Sequence, residues 1–302
     1  MNLKQIHLLL TYRCDMECDH CFVWGSPFSK GAMKLKDIST ILHEAKKVGT
    51  IEGISIEGGE PFLFYPILLW TAREAVKLGF KVEILSNAYW ATTEEDAVEW
   101  LKPISQLENI ELTLSSDFYH GDSWKTEEAK NGIKAATKLG IPVSVLAIKY
   151  PFATEECPKE FEGAKVGLYE LMCKGRAYSK MTENLNKKPW TEFDKCPYED
   201  LANPTRVHID YLGFMHPCQG ISIGNVLQQP LSQIINTYNP SAHPVIAPLL
   251  EGGPIALAKK YNLPHKENYA DACHFCYDMR LNLRNKFPNI LAPEQMYGEG
   301  LG

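Results

Sequence analysis

Cys14, Cys18 and Cys21 fall within eight residues, Cys14-Asp-Met-Glu-Cys18-Asp-His-Cys21, a CxxxCxxC spacing that brings three thiol groups onto one tight loop. With nine cysteines in 302 residues, that spacing arises by chance in roughly one such chain in a hundred. Thiolates ligate soft metals and drive redox chemistry. Three ordinary thiols, buried or on the surface, are the alternative. The remaining cysteines group as Cys157 and Cys173 in mid-chain and Cys196, Cys218, Cys273 and Cys276 in the last third. An odd count cannot all pair in disulfides, and a reducing compartment would not keep them paired, so metal or redox chemistry is the leading expectation. Two separated cysteines followed by CxxC also have the spacing of a tetrahedral zinc site.

Other polar residues recur at the ends of β-like runs. Ile6 to Thr11 leads into the three-cysteine loop, and Ile51 to Glu57 runs into Gly58-Gly59-Glu60-Pro61. Lys81 to Ser86 ends at Ser86-Asn87, and Ile110 to Ser115 ends at Ser116-Asp117. Pro142 to Ile148 ends at Lys149-Tyr150, and Val166 to Met172 at Cys173-Lys174-Gly175-Arg176. These short β-branched or apolar runs, bounded by Gly, Pro, Ser or Asn, read as buried strands. Between them lie helical patterns. Ile38, Ile41, Leu42, Ala45 and Val48 share one 3.6-residue face, Thr92 with Glu95 reads as a capping box, and helices fit Tyr65 to Leu78 and Trp124 to Leu139. Strands alternating with helices imply parallel βαβ units with right-handed crossovers, so the fold class is α/β, a partial (β/α)6 barrel. Chemistry in such a barrel gathers at the C-terminal strand ends, where these residues stand. The polar stretch Tyr178 to Lys195 reads as a connection, which divides the chain into a barrel over 1–180 and a small second domain over 181–302.

Length agrees with one large barrel or two domains of about 150 residues. Apolar residues at 45% and charged residues at 23% match globular chains and argue against disorder or a coiled coil. No run approaches a membrane span, and Ile6 to Leu10 is too brief for a signal peptide, so a cytoplasmic protein without a membrane partner is expected. A net charge of -6 without a basic run leaves no footprint for nucleic acid.

CxxxCxxC after a first strand, followed by Gly-Gly-Glu-Pro after the second, resembles the radical S-adenosylmethionine superfamily over about residues 5–180. The resemblance implies that Cys14, Cys18 and Cys21 hold three irons of a [4Fe-4S] cluster and that S-adenosyl-L-methionine chelates the fourth. An all-cysteine cluster has no open iron, whereas a missing ligand leaves one vacant. Reductive cleavage would then yield methionine and a 5'-deoxyadenosyl radical that abstracts a substrate hydrogen. The resemblance further implies that Gly58 and Gly59 let the backbone approach the methionine moiety and that Glu60 accepts from its amino group. It places His20 against adenine, puts Ser86, Asn87 and Ser115 near ribose and carboxylate, and pairs Arg176 with a carboxylate. A low-potential electron donor of flavodoxin or ferredoxin type is implied as a partner.

The last third resembles the Twitch domain, a shorter relative of the SPASM domain, through Cys196, the Gly213 to Cys218 turn after Val207 to Phe214, and Cys273-His-Phe-Cys276. This implies a second [4Fe-4S] cluster on Cys196, Cys218, Cys273 and Cys276. Within the superfamily, Leu85 to Trp90, Ser116 to His120 and the helical insertion before Cys273 resemble radical peptide epimerases. Those enzymes carry a hydrogen-donating cysteine beside the auxiliary-cluster ligand, and Gln219 stands there instead. Oxidation or bond formation on a peptide or small molecule is therefore the expected reaction, with Asp117 and His120 as bases. Epimerisation with Cys173 as donor is the alternative, and a non-catalytic iron-sulfur or zinc redox module is a further one. The first strand lies within the first residues of the chain, so no appended leader-peptide-binding domain is expected.

Overall fold

Runs such as Ile54-Ser-Ile56 and Leu112-Thr-Leu114 bury their apolar residues, while the stretches between them carry one apolar face, so strand and helix alternate. The computed structural model of the protein describes residues 1–300. They form two compact units, one of Gln5–Cys18 with Gly25–Leu171, the other of Met1–Lys4, Asp19–Trp24 and the chain from Met172 on.

In the first unit the elements are β1 (Gln5–Leu9), α1 (Leu35–Val48), β2 (Gly53–Glu57), α2 (Tyr65–Lys77), β3 (Lys81–Ser86) and α3 (Glu94–Leu101). They continue with β4 (Ile110–Ser115), α4 (Glu127–Lys138), β5 (Val143–Ile148), β6 (Glu160–Phe161) and β7 (Ala164–Tyr169). The order across this part of the sheet is β1-β2-β3-β4-β5-β7-β6. All neighbours are parallel except the two-residue β6 on β7, and Leu9↔Glu57, Ser86↔Leu114 and Ile148↔Tyr169 mark the register. Six parallel strands joined mostly through helices make the α/β arrangement of a partial barrel. The β5 to β7 connection is a loop ending in the β6 turn rather than a helix.

Helix α1 buries Ile38, Ile41, Leu42 and Ala45 and stops at Gly49, which takes φ 76°. On α4, Gly132 lies so close to the sheet that a Cβ there would stand 2.8 Å from Leu114 Cδ1. The cap of α3 falls one residue later than the Thr92/Glu95 pattern suggests. Thr93 accepts the Asp96 N–H at 3.1 Å, and Thr92 instead donates to the Asp96 carboxylate at 2.8 Å. The last parallel strand begins two residues earlier than the run starting at Val166, because Ala164 and Lys165 pair with β6.

The second unit contains α5 (Arg176–Lys180), β8 (Lys188–Pro189), β9 (Arg206–Asp210), β10 (Met215–His216), α6 (Leu231–Thr237), α7 (Ile246–Tyr261), β11 (Asn268–Tyr269) and α8 (Ala272–Leu283). β9 and β10 form an antiparallel hairpin, and β8 pairs with β11. Asp210 Oδ1 closes the hairpin by accepting the N–H groups of Leu212 and Phe214. Helix α7 is interrupted at Gly252–Gly253, where a Cβ on Gly253 would run into the Asp194–Lys195 backbone just before Cys196. No helix among the described residues is long and apolar enough to cross a membrane.

Candidate functional site

Behind β2 the chain turns at Gly58–Gly59 and packs on the segment that carries Cys14. The Gly59 N–H donates to the Thr11 carbonyl at 2.7 Å and the Glu60 N–H to the Arg13 carbonyl at 2.8 Å. A Cβ on Gly59 would fall on the Arg13 carbonyl, so this turn requires glycine for close backbone approach. Glu60, 1% exposed, takes three hydrogen bonds from the chain itself. Its Oε1 accepts from the Phe62 N–H and the Ser86 hydroxyl, and its Oε2 from the Asn87 N–H. Burial pushes its carboxyl up to about 7, against the opposing pull of those three hydrogen bonds. Asn87 then turns its amide toward the cysteine loop, donating to Asp15 Oδ1 at 2.8 Å and lying 3.7 Å from Cys14 Sγ. Cys14 Sγ also accepts the Met16 N–H at 3.5 Å. Ser115 ends β4, buried and in register with Leu146.

One turn beyond, Asp117 is fully buried. Its Oδ2 accepts the Ile148 N–H at 2.8 Å, and its Oδ1 accepts the Tyr119 N–H at 2.9 Å and meets His120 Nδ1 at 2.7 Å. Burial alone would lower the His120 pKa, but hydrogen bonds to Asp117 and Cys18 outweigh it and carry it to about 10. The raised value keeps the His120 proton on the ring against the Asp117 carboxylate at neutral pH.

In the second unit, Cys21 is anchored through its carbonyl, which accepts the Arg176 N–H at 2.9 Å. Gly175, at φ 61°, permits this contact, since a Cβ there would lie 2.5 Å from the Cys21 oxygen. The buried Arg176 guanidinium lies over the Trp24 ring, 5.5 Å from its centroid. His20 is half-buried. Cys173 is 2% exposed, its N–H donates to Asp271 Oδ2 at 3.0 Å, and burial first, then the neighbouring Asp271, raises its thiol far above the ordinary range. That thiol stays protonated. Cys157, in the first unit, belongs to neither cysteine group.

Cys196, Cys218, Cys273 and Cys276, spread over a loop, the turn after β10 and the first turn of α8, line a single pocket with Leu201, Ile221, Leu249 and Pro254. Asp271 caps α8 by accepting the His274 N–H at 2.6 Å, which fixes the helix turn that presents Cys273 and Cys276. Burial holds Cys276 up to about 12 and raises Cys273 and Cys196 as well, so these three thiols keep their protons until a metal displaces them. Lys174 and Arg280 line the same pocket and were not singled out as site residues from the sequence. The signal for Arg280 was its place four residues after Cys276, one helical turn along the same face. For Lys174 it was its position inside the Cys173 to Arg176 element.

The two cysteine groups have the donor chemistry of iron-sulfur ligation. A CxxxCxxC loop offers three thiols, which leaves one iron of a [4Fe-4S] cluster open, and four thiols lining one pocket offer a ligand to every iron.

The sequence pattern of the radical SAM superfamily matches residues 8–162. The chain is 28% identical over 225 residues to YydG of Bacillus subtilis (strain 168), named for peptide biosynthesis, a match covering 71% of this chain and 69% of YydG. It is 26% identical over 165 residues to a protein of Saccharolobus solfataricus named as a GTP 3',8-cyclase, covering 52% of this chain and 50% of that one. Among solved structures, Streptococcus suis SuiB bound to its precursor peptide SuiA aligns with a TM-score of 0.54 at 16% identity, over 90% of this chain and 76% of SuiB. The structure of anSMEcpe with AdoMet and the Cp18Cys peptide aligns with a TM-score of 0.52 at 14% identity, over 95% and 98%. These last two likenesses are of fold. Since the superfamily pattern spans half the chain and covers the cysteine loop, the Gly-Gly turn and the parallel strands behind them, this protein is a member of the radical SAM superfamily.

Proposed function

We propose that this radical SAM enzyme abstracts a hydrogen atom from a peptide and completes an oxidation or bond formation with the help of a second [4Fe-4S] cluster. The observation that carries the reading is the convergence of Cys196, Cys218, Cys273 and Cys276 on one pocket, although the four are spread over 81 residues of chain. A peptide is favoured over a small molecule by the 28% identity to a relative named for peptide biosynthesis. Cys14, Cys18 and Cys21 would hold the first cluster, and the turn of Gly58, Gly59 and Glu60, with Ser86, Asn87, Ser115, His20 and Arg176, would hold S-adenosylmethionine. When bound, these groups supply hydrogen-atom abstraction from an unactivated carbon and an acceptor for the electron left behind.

This chain's own residues contribute position and protons. Glu60 binds the ends of β2 and β3 together, so the Gly-Gly turn and Asn87 keep a fixed spacing. Asp117 holds the His120 imidazolium in place and ties the end of β4 to β5. Gln219, the neighbour of Cys218, spends its amide on Lys174 and the His208 ring and has no hydrogen atom to give. A low-potential flavodoxin or ferredoxin would supply electrons, and a division into barrel and auxiliary domains near residue 180 completes the reading.

The protonated state of Cys173 favours a second reading, redox-neutral epimerisation of a peptide residue with that thiol as hydrogen donor. Turnover of a candidate peptide in deuterated water separates the two. Oxidation gives a product two hydrogens lighter with no solvent deuterium at the attacked carbon. One deuterium in a product of unchanged hydrogen count, lost in Cys173→Ala, would establish epimerisation instead.

A further inference from the structure

Lys174 and Arg280 bring two permanent charges to a buried pocket that offers no carboxylate to balance them. Lys174 is 2% exposed and Arg280 1% exposed. The Lys174 ammonium lies 3.8 Å from Cys218 Sγ and donates to Gln219 Oε1 at 2.5 Å. Arg280 Nη1 donates to the Gln219 carbonyl at 2.9 Å, its guanidinium lies 5.3 Å from the Tyr277 ring centroid and 5.7 Å from that of Tyr297, and its Nε is without a hydrogen-bond partner. Among the described residues neither cation reaches a carboxylate at ion-pair distance, and the pocket lining contains no Asp or Glu.

An uncompensated buried cation is costly, and two together are more so. Glu199 and Asp271 act on Lys174 electrostatically without forming an ion pair, and the thiolates of a loaded metal site would bring negative charge directly beside both cations. In a site of low dielectric, fixed cations beside such a group favour whichever of its redox states is more negative. Net charge, hydrogen bonds to the sulfurs and solvent exposure are the terms that set iron-sulfur potentials, and Lys174 beside Cys218 Sγ supplies the first two together.

We propose that Lys174 and Arg280 are the built-in counter-charges of the metal–thiolate group on Cys196, Cys218, Cys273 and Cys276, and that they raise its reduction potential so that it accepts electrons. The inference rests on the reading of that pocket as an iron-sulfur site. Gln219 is the positioning residue: its side-chain oxygen holds the ammonium beside Cys218 while its amide is braced against the His208 ring. The position where a donor cysteine was sought therefore serves the charge of the pocket.

The test is a redox titration of the reconstituted holoenzyme, with each cluster followed by its own electron paramagnetic resonance signal. Lys174→Met and Arg280→Met should each lower the midpoint of the second cluster by roughly a tenfold change in its reduction equilibrium, about 59 mV for a one-electron couple. The first cluster should not move, and Lys174→Arg should restore the wild-type value. Gln219→Leu keeps both charges but releases the ammonium, and should give a smaller shift in the same direction. In metal-free protein Lys174→Met should raise the thermal midpoint, because it removes a buried charge that has no ion-pair partner. Unchanged potentials in all three variants at full iron content would overturn the inference while leaving the second cluster intact. So would a Lys174→Met variant that destabilises metal-free and loaded protein alike, the mark of simple packing. Wild-type protein that binds zinc, or only about four irons, would overturn the iron-sulfur reading and the inference with it.

Discussion

Glu60 Oε2 accepts the backbone N–H of Asn87 at 2.8 Å, so the carboxylate that follows the Gly-Gly turn of one strand terminates the next strand as well. Its other oxygen holds the Ser86 hydroxyl. The two strand ends therefore behave as one piece, and the protonation of Glu60 is coupled to folding.

Burial raises the Glu60 pKa from an ordinary 4.5 to about 7. A raised folded value means that this contribution to stability is full below about 4.5 and is lost as pH rises through 7. The shift corresponds to about 3 kcal/mol over that window. Denaturant titrations of wild type and Glu60→Gln between pH 4.5 and 8 should show the slope in the wild type and its loss in the variant; parallel curves would remove Glu60 as its source.

Gly59→Ala should destabilise the first unit more than Gly58→Ala. The added Cβ collides with the Arg13 carbonyl in the first case and stands 2.9 Å from the Thr11 carbonyl in the second. Overpacking against backbone costs about 1–3 kcal/mol, with Gly59 at the upper end. Thermal melts of the two variants rank them, and equal midpoints would contradict the geometry.

Anaerobically reconstituted protein should bind about eight irons. Replacing Cys14, Cys18 and Cys21 with Ala should remove about four, and replacing Cys196, Cys218, Cys273 and Cys276 the other four. Loading of the second group should strengthen steeply as pH rises, because burial raises the thiols of Cys196 and Cys273 and holds Cys276 up to about 12. Iron analysis across pH 6.5 to 9 reads both expectations, and pH-independent loading would count against buried thiol ligands.

Asp117→Asn should lower the His120 pKa from about 10 and leave the imidazolium without its carboxylate. The raised pKa gives stability that is present below the ordinary 6.5 and lost as pH rises through 10, so the variant's deficit against wild type should be largest at and below about 6.5 and shrink as pH approaches 10. A charged buried hydrogen bond contributes about 1.5–3 kcal/mol. Ring-proton NMR titration of His120 in metal-free protein, with denaturation at pH 7 and pH 10, checks both; an unmoved His120 titration would show that Asp117 does not hold its proton.

Much of the first unit was legible in the sequence because its signals are local. β-branched runs at Ile54 to Ile56 and Leu112 to Leu114, the 3.6-residue face of Ile38 to Ala45 and the CxxxCxxC spacing each occupy one continuous stretch. The superfamily followed from two such stretches, the cysteine loop and Gly58-Gly59-Glu60-Pro61. Tertiary structure decided what pairs across distance. It made Glu60 a tie between two strand ends, set His120 against Asp117 and Cys18, and put Asp271 against Cys173. It also gathered four cysteines from a loop, a hairpin end and a helix, and set Lys174 and Arg280 beside them in a pocket without a carboxylate. A buried charge is invisible in a sequence because its meaning depends on which opposite charge the fold brings within reach, and here those partners lie as far apart as Lys174 and Cys218.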